Sequence, residues 1–247
     1  MVDLRGDVTV KAVARVKFLF APGAGAPSTS PWMQAWAARL ASMGDVTTLD
    51  YPYMRGGRRR PDRQPTLVDA HREALAKLRA TVEEEVPAEA GEVPVFLIGK
   101  SMGSRMGCHL AVELQDGVGD VDVDAEGTGS SSSRPPALAG LICLGYPLVS
   151  GASGAMRDQV LLALRTPIFF VQGTRDPLCP LGALEPVLAR MTAPHRLHIV
   201  EGGNHSLELP AARRDPATRD QAQADSDAAV CAAIAAFVTD VTTGGTI

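Results

Sequence analysis

The chain has 247 residues, of which 45% are hydrophobic and 21% charged, and its formal net charge is −4. This is an ordinary composition for a globular protein, and no dominant basic stripe of the kind that binds nucleic acid is present. Apolar runs such as 93–98 and 138–144 fall far short of the roughly 20 residues that span a bilayer, and the charged N-terminus lacks the apolar region of a secretory signal. We therefore expect no nucleic-acid partner and no membrane span.

The four cysteines are widely scattered along the chain. They are Cys108, Cys143, Cys179 and Cys231, with no C-x-x-C pair and no metal-ligand spacing. Reduced thiols in an intracellular protein are the simpler interpretation, so we expect a cytoplasmic location and no metal site.

The first third of the chain alternates strand and helix patterns around a glycine-rich loop. The β-branched and aromatic residues at 13–20 predict a strand that ends in the loop 21–27. Ser30 then suits a helix N-cap, with Pro31 at the first helical position. The elements predicted after this helix are, in order, a strand at 46–49, a long polar loop at 51–65 and a helix at 66–86.

The remaining two thirds contain four further strands that are predicted to be buried. The apolar run 93–98 shows no alternation, which is typical of a strand covered on both faces of a parallel sheet. It is followed by a small-residue helix that ends near Gln115. Strands are then predicted at 138–144, 168–171 and 197–200, and helices at 181–191 and 221–241.

Alternating strands and helices predict an α/β fold, with a mostly parallel sheet of about six strands and helices on both faces. We expect residues 1–247 to form a single domain. A low-complexity segment at 116–136, acidic and then rich in serine, interrupts it as an insertion that we expect to be mobile.

A G-x-S-x-G motif lies between the predicted strand at 93–98 and the helix after it. In this context the motif forms a nucleophile elbow, which would expose the hydroxyl of Ser101 at the carboxyl edge of the sheet. Gly99 and Gly103 remove Cβ atoms that would collide with the neighbouring strand and helix. The alternatives are a plain strand–turn–helix corner or a phosphate-binding loop, although the glycine spacings of phosphate loops are absent.

A serine hydroxyl needs a base and an orienting acid before it is a good nucleophile. Asp176 follows the strand at 168–171 and His205 follows the strand at 197–200, which gives the chain order Ser, Asp, His of α/β-hydrolases. Because parallel strands end at one edge of a sheet, we expect both side chains to converge on Ser101. The alternative for Asp176 is a turn-forming Asp-Pro.

The other histidines are weaker candidates. His195 and His198 lie three residues apart on one predicted strand, so they point to opposite faces and cannot share a metal ion. His71 and His109 lie in helical patterns, and each is interpreted as a surface or packing residue.

The oxyanion of an acyl-transfer intermediate needs two backbone N–H donors. Met102, the residue after the serine, is expected to supply one, and the loop after the first strand supplies the other. Glycines on both sides of Ala24 let that residue turn its amide toward the site, and Gly25 is the next candidate.

Three further features lie close to these motifs. The arginines between Arg55 and Arg63 suit recognition of an acidic substrate group, although such a charge run is more often a solvated face. Lys100, beside the serine in a tight turn, is expected to point away from the site. Trp32 and Trp36, four residues apart on a helix, are expected in the core.

These motifs resemble the family of small α/β-hydrolase-like proteins that includes testis-expressed protein thirty and the hydrolase-like region of the third subunit of the NSL histone-acetyltransferase complex. The resemblance rests on the blocks 22–27, 51–53, 99–105, 140–148, 173–179 and 203–206. It implies an abbreviated α/β-hydrolase fold, similar to dienelactone hydrolases and without the large lid of bigger esterases. It also implies that Ser101, Asp176 and His205 are the nucleophile, acid and base.

The sequence therefore predicts a carboxylesterase-like serine hydrolase that cleaves a small-molecule ester or thioester through an acyl-enzyme. This reaction needs no metal and no organic cofactor. The chromatin-associated relatives suggest an alternative, a non-catalytic hydrolase-like scaffold that binds proteins, and with it a second location in the nucleus.

Overall fold

The computed structural model describes residues 16–85, 92–116, 138–210 and 216–247. Within them the strands are β1 (Lys17–Ala21), β2 (Asp45–Thr48), β3 (Val95–Lys100), β4 (Gly140–Leu144), β5 (Ile168–Gly173) and β6 (His195–Val200). The helices there are α1 (Pro31–Leu40), α2 (Pro52–Arg55), α3 (Gln64–Glu85), α4 (Met102–Asp116), α5 (Gln159–Ala163), α6 (Leu181–Leu188) and α7 (Pro216–Thr243). The predicted insertion at 116–136 lies, beyond Asp116, outside the described residues.

The six strands form one parallel sheet in the order β2-β1-β3-β4-β5-β6. This confirms the predicted α/β class and the expected number of strands. Since every pair is parallel, all six strands end at the same edge of the sheet. The loops that follow β1, β3, β5 and β6 meet there. They carry the residues singled out from the sequence as catalytic or oxyanion-binding, except Met102, which begins α4.

Helices cover both faces of the sheet. Successive strand residues point to opposite faces, so each strand contributes side chains to two separate cores. Leu19 and Leu97 pack with α3 and α4 on one face. Phe20 and Phe96 pack with α1 and α7 on the other face. On that second face Phe237 stacks on Phe169 with ring centroids 5.3 Å apart. The four central strands β1, β3, β4 and β5 are buried on both faces, which explains their almost continuously apolar sequences. The edge strand β6, predicted to be buried, is mostly half-buried, because no further strand covers its outer side.

The structure differs from the predicted elements in two short segments. The region 51–65, predicted to be a loop, contains α2 and the start of α3, and Pro52 begins α2 at the first helical position. The five-residue helix α5 was not predicted at all. Helices of four or five residues complete little more than one turn, so no repeating apolar face shows them in a sequence.

The helix α7 carries the longest apolar segment of the described chain. By length and composition alone, its segment Ala217–Thr243 is the one helix there that qualifies as able to cross a membrane. A helix packed in a protein core meets the same criteria. Ile234 and Phe237 are fully buried against the sheet, and Asp227 pairs with Arg39 of α1 at 2.6 Å. The absence of a membrane span stays a prediction.

Candidate active site

Ser101 lies in a sharp turn between β3 and α4. Its φ angle is 51°, in the left-handed region that side chains other than glycine rarely adopt. Its backbone N–H donates to the Leu144 carbonyl at 3.1 Å, which ties the turn to β4. A Cβ at Gly103 would lie 2.5 Å from the Ala21 carbonyl oxygen, and one at Gly99 would collide with the backbone nitrogen of Ser104. The turn therefore requires both glycines of the motif.

Three side chains from three loops form a continuous hydrogen-bonded row at this edge. The Ser101 hydroxyl oxygen lies 2.7 Å from Nε2 of His205, which is 104 residues away along the chain. Nδ1 of the same imidazole lies 2.8 Å from Oδ2 of Asp176. Because a carboxylate only accepts, Nδ1 carries the proton and Nε2 accepts from the serine hydroxyl. The structure thus brings together the three residues that sequence reasoning selected as catalytic.

The side chain of Asp176 is fully buried, and both of its carboxylate oxygens are hydrogen-bonded. Oδ1 accepts the Leu178 backbone N–H at 2.8 Å, and Oδ2 accepts the side-chain amide of Gln172 as well as the imidazole. Gln172 is itself fully buried, and its carbonyl oxygen accepts the Tyr146 backbone N–H at 3.1 Å. A buried charge needs such partners to stay in a folded protein.

Gln172 was missed from the sequence. It lies in β5, and the only available signal is a polar residue in an otherwise apolar strand, four positions before the candidate acid.

Lys100 holds the loop that carries His205. Its ammonium donates a hydrogen bond to the His205 backbone carbonyl, so the expectation that it points away from the site is wrong. Lys100 is the last residue of β3, and its half-buried side chain reaches the loop that follows β6. Burial lowers the pKa of Lys100 to about 8, against the opposing influence of Asp176 and Glu208.

The two tryptophans of α1 have different environments. Trp36 is buried in the core, as expected. Trp32 is only half-buried, and its indole N–H donates to the Ser206 carbonyl at 2.9 Å. Trp32 is therefore a second anchor of the loop that carries His205.

The glycine-rich loop after β1 passes directly beside the serine. A Cβ on Gly23 would lie 3.5 Å from the Cβ of Ser101. The next residue, Ala24, accepts a hydrogen bond through its carbonyl from the Tyr53 hydroxyl at 2.8 Å. Met102 is the first residue of α4, immediately after the serine. The loop that holds Ala24 and Gly25 thus runs along Ser101, and their role as N–H donors stays a proposal.

Comparison with known proteins identifies the family. A family model described as an alpha/beta hydrolase domain matches residues 14–239. The chain belongs to the alpha/beta hydrolase domain family. Family membership and the parallel sheet together support a hydrolase.

Solved structures share the fold of this alpha/beta hydrolase at low sequence identity. An alpha-beta serine hydrolase homologue from Coxiella burnetii is 16% identical, with a TM-score of 0.53 over 77% of this chain and 76% of the other. Dienelactone hydrolase from Anabaena variabilis is 20% identical, with a TM-score of 0.54 over 86% and 85%. The RedJ thioesterase of the prodiginine pathway in Streptomyces coelicolor is 16% identical, with a TM-score of 0.55 over 92% of each chain.

The arginines at 55–63 of this alpha/beta hydrolase are partly engaged by neighbours. Arg55 donates to the Asp50 carbonyl at 2.6 Å, and Arg58 pairs with Asp62 at 2.6 Å. Arg58 and Arg59 also line an open cavity of about 390 Å³ that includes Ala24 and Gly25. The arginine segment therefore borders the glycine-rich loop, and its role in recognition of an acidic group stays a prediction.

The histidines outside the row have structural surroundings. His71 is fully buried, Nε2 lies 2.7 Å from the Tyr51 hydroxyl, and burial lowers its pKa to about 3. It is a packing residue, one of the two roles expected for it. Burial also lowers the pKa of His198, which lies on β6. In the described ranges, no cluster of three or more His, Cys, Asp or Glu residues is placed to hold a metal ion.

Proposed function

We propose that this alpha/beta hydrolase is a serine hydrolase that cleaves a small ester or thioester through an acyl-enzyme. The observation that carries the proposal is the unbroken row from the Ser101 hydroxyl through His205 to Asp176, at 2.7 and 2.8 Å. Each group lies within the distance at which a proton passes between a nucleophile and its base.

In the proposed reaction, Ser101 Oγ attacks the carbonyl carbon while Nε2 of His205 takes the hydroxyl proton. The carbonyl π electrons move to oxygen, and the oxyanion accepts hydrogen bonds from the backbone N–H groups of Met102 and of Ala24 or Gly25. The tetrahedral intermediate then collapses, and His205 donates its proton to the departing alcohol or thiol. Water repeats the sequence on the acyl-enzyme and releases the acid, with no metal or organic cofactor in any step.

Asp176 stabilises the imidazolium that forms in each half of this cycle. Because its carboxylate is buried and already hydrogen-bonded to Leu178 and Gln172, it reorganises little when the charge appears. The positive φ of Ser101 serves the same purpose, since it fixes the hydroxyl above the sheet edge.

Carboxylesterase-like specificity and the finer resemblance to the family of testis-expressed protein thirty belong to this proposal, as does a cytoplasmic location. Thioesters are included with esters because the same row of groups expels a thiol as readily as an alcohol. One of the solved structures with this fold is described as a thioesterase.

A fluorophosphonate probe, which phosphorylates activated serines, tests the proposal. We expect the wild-type chain to be labelled and both Ser101→Ala and His205→Ala to be unlabelled. Ser42→Ala is the matched control, because Ser42 is exposed beyond the end of α1 and should label like the wild type. Circular dichroism confirms that each variant is folded.

A folded wild-type chain that stays unlabelled, or labelling that survives Ser101→Ala, would contradict the proposal and favour a non-catalytic scaffold. Short-chain 4-nitrophenyl esters and the matching thioesters then establish which leaving group is preferred.

A further inference from the structure

A second polar cavity lies beside α4, outside the Ser–His–Asp row. We name it the arginine pocket. It has a volume of about 340 Å³ and is lined mainly by Arg105, Arg157, His109, Met156, Gln64 and Gln159. No Asp or Glu of the described chain lines it.

Arg105 is held rigidly on one side and unpaired on the other. Its Nη1 donates to Gln64 at 3.1 Å and lies 3.4 Å from Nε2 of His109. Its Nε is buried and has no hydrogen-bond acceptor in the described structure. A buried N–H group without an acceptor is energetically unfavourable. A hydrogen-bond acceptor beside this edge of the guanidinium would remove that cost.

Arg157 approaches the same pocket from the segment after β4. Its backbone is fixed at both ends, since its N–H donates to the Leu148 carbonyl at 2.8 Å and its carbonyl accepts the Tyr146 hydroxyl at 3.3 Å. The bridge between Val149 and Met156 closes this segment into a small hairpin. No acceptor for the guanidinium of Arg157 is found among the described residues.

The two guanidinium groups therefore face one cavity with no carboxylate between them. Burial, and after it the charge of Arg157, lowers the pKa of Arg105, and only phenols and a thiol act in the other direction. His109 adds no charge at neutral pH, because burial and Arg105 lower its pKa to about 4. Two unneutralised cations in a chain of net charge −4 are the complement of a bound anion.

The arginine pocket borders α4, the helix that begins directly after the candidate nucleophile. The Arg105 backbone N–H donates to the Ser101 carbonyl at 3.3 Å, so Arg105 lies one helical turn after the serine. Four residues of helix rise about 6 Å along the axis, so a substrate that occupies both places needs a spacer of a few methylene groups. Met156, a large apolar residue that is 45% exposed, provides a wall for such a chain.

We propose that Arg105 and Arg157 bind a carboxylate carried by the substrate, so that the enzyme acts on esters or thioesters of short dicarboxylic acids. The free edge of a guanidinium presents two parallel N–H groups, which match the two oxygens of a carboxylate. This inference rests on the proposed serine hydrolase function, which it extends by assigning a substrate class.

Paired substrates test the proposal. Each 4-nitrophenyl half-ester of succinate, glutarate and adipate is compared with the ester of the same chain that ends in a primary amide, and rates are corrected with Ser101→Ala. We expect the wild type to favour the carboxylate by about tenfold or more in kcat/KM, because hydrogen bonds to charged groups are that strong.

Arg157→Gln should lower this carboxylate-to-amide ratio by about tenfold. Arg165→Gln, which removes the same charge from an exposed position before β5, should leave the ratio unchanged. Arg157 is the preferred position because it is less enclosed by bonded neighbours than Arg105. A wild-type ratio near one, or a ratio unchanged in Arg157→Gln, would overturn the proposal.

A binding measurement separates this inference from the proposed function. Calorimetric titration with glutarate should show binding to Ser101→Ala and no binding to the double variant Ser101→Ala/Arg157→Gln. If Ser101→Ala binds inorganic phosphate more tightly than glutarate, the carboxylate assignment is overturned. If the wild type is labelled by the fluorophosphonate and hydrolyses the esters that end in an amide, but Ser101→Ala does not bind glutarate, only the dicarboxylate proposal is contradicted. Glutarate binding without labelling or turnover would contradict the hydrolase proposal, and with it the substrate class.

Discussion

The ammonium of Lys100 lies 5.0 Å from the centroid of the Trp32 indole ring. Both side chains also donate hydrogen bonds to the loop that carries His205, Lys100 to the His205 carbonyl and Trp32 to the Ser206 carbonyl. The cation–π contact thus joins two anchors that come from different parts of the chain. The backbone that carries the imidazole is thus held by two side chains that also contact each other.

The first prediction concerns this anchor. Lys100→Met keeps the length of the side chain but removes the hydrogen bond to the His205 carbonyl. We expect kcat for a short-chain ester to fall about tenfold with KM within about twofold, since a misplaced base raises the barrier without removing substrate contacts. Lys77→Met, on the exposed face of α3, is the matched control. Equal kcat in Lys100→Met and the wild type would show that the loop is held without Lys100.

The second prediction is a pH dependence of stability. The pKa of Lys100 in the folded chain is about 8, below the ordinary value of 10.5. Between these values the unfolded chain binds a proton that the folded chain lacks, so the free energy of unfolding rises with pH in this window. Relative to Lys100→Met, the wild type should gain on the order of 1–3 kcal/mol from pH 8 to 10.5. Urea denaturation of both chains measures it. A difference that stays constant or shrinks with rising pH would contradict the lowered pKa.

The sequence was sufficient to predict the sheet and the row at its edge because both depend on local patterns. The run 93–98 is apolar throughout, and the loops with Asp176 and His205 follow strands that the same reasoning finds. Parallel pairing then brings the loop ends together whatever the details of packing.

The supports of the row were not predictable in the same way. Lys100 and Trp32 act through contacts with backbone groups that are distant in sequence, such as the Ser206 carbonyl 174 residues from Trp32. No spacing rule relates such pairs. The arginine pocket was missed for the same reason, since α3, α4 and the hairpin after β4 meet only in the folded chain.

The third prediction compares two neighbouring tyrosines whose rings stack 6.1 Å apart. Tyr53→Phe removes the hydroxyl that holds the Ala24 carbonyl, so the proposed oxyanion loop becomes less ordered and kcat should fall about tenfold. Tyr51→Phe removes the partner of buried His71 instead. It should lower the free energy of unfolding by about 1–3 kcal/mol and leave kcat close to that of the wild type.

Steady-state kinetics and urea denaturation of both variants check this pair. If Tyr53→Phe reduces stability but not kcat, the hydrogen bond to Ala24 serves the fold rather than the reaction.

The last prediction concerns the backbone of Ser101. A φ of 51° costs a residue with a Cβ about 1–2 kcal/mol, whereas glycine adopts it without that strain. Ser101→Gly and Ser101→Ala both lack the hydroxyl, so we expect both to be inactive, but the glycine variant should be the more stable by about 1 kcal/mol. At Ser42, where φ is not positive, the glycine variant should be less stable than the alanine variant, because glycine gives the unfolded chain more conformational entropy. Thermal or urea unfolding of the four variants decides between these outcomes. Lower stability of Ser101→Gly than of Ser101→Ala would show that the turn holds the serine without backbone strain.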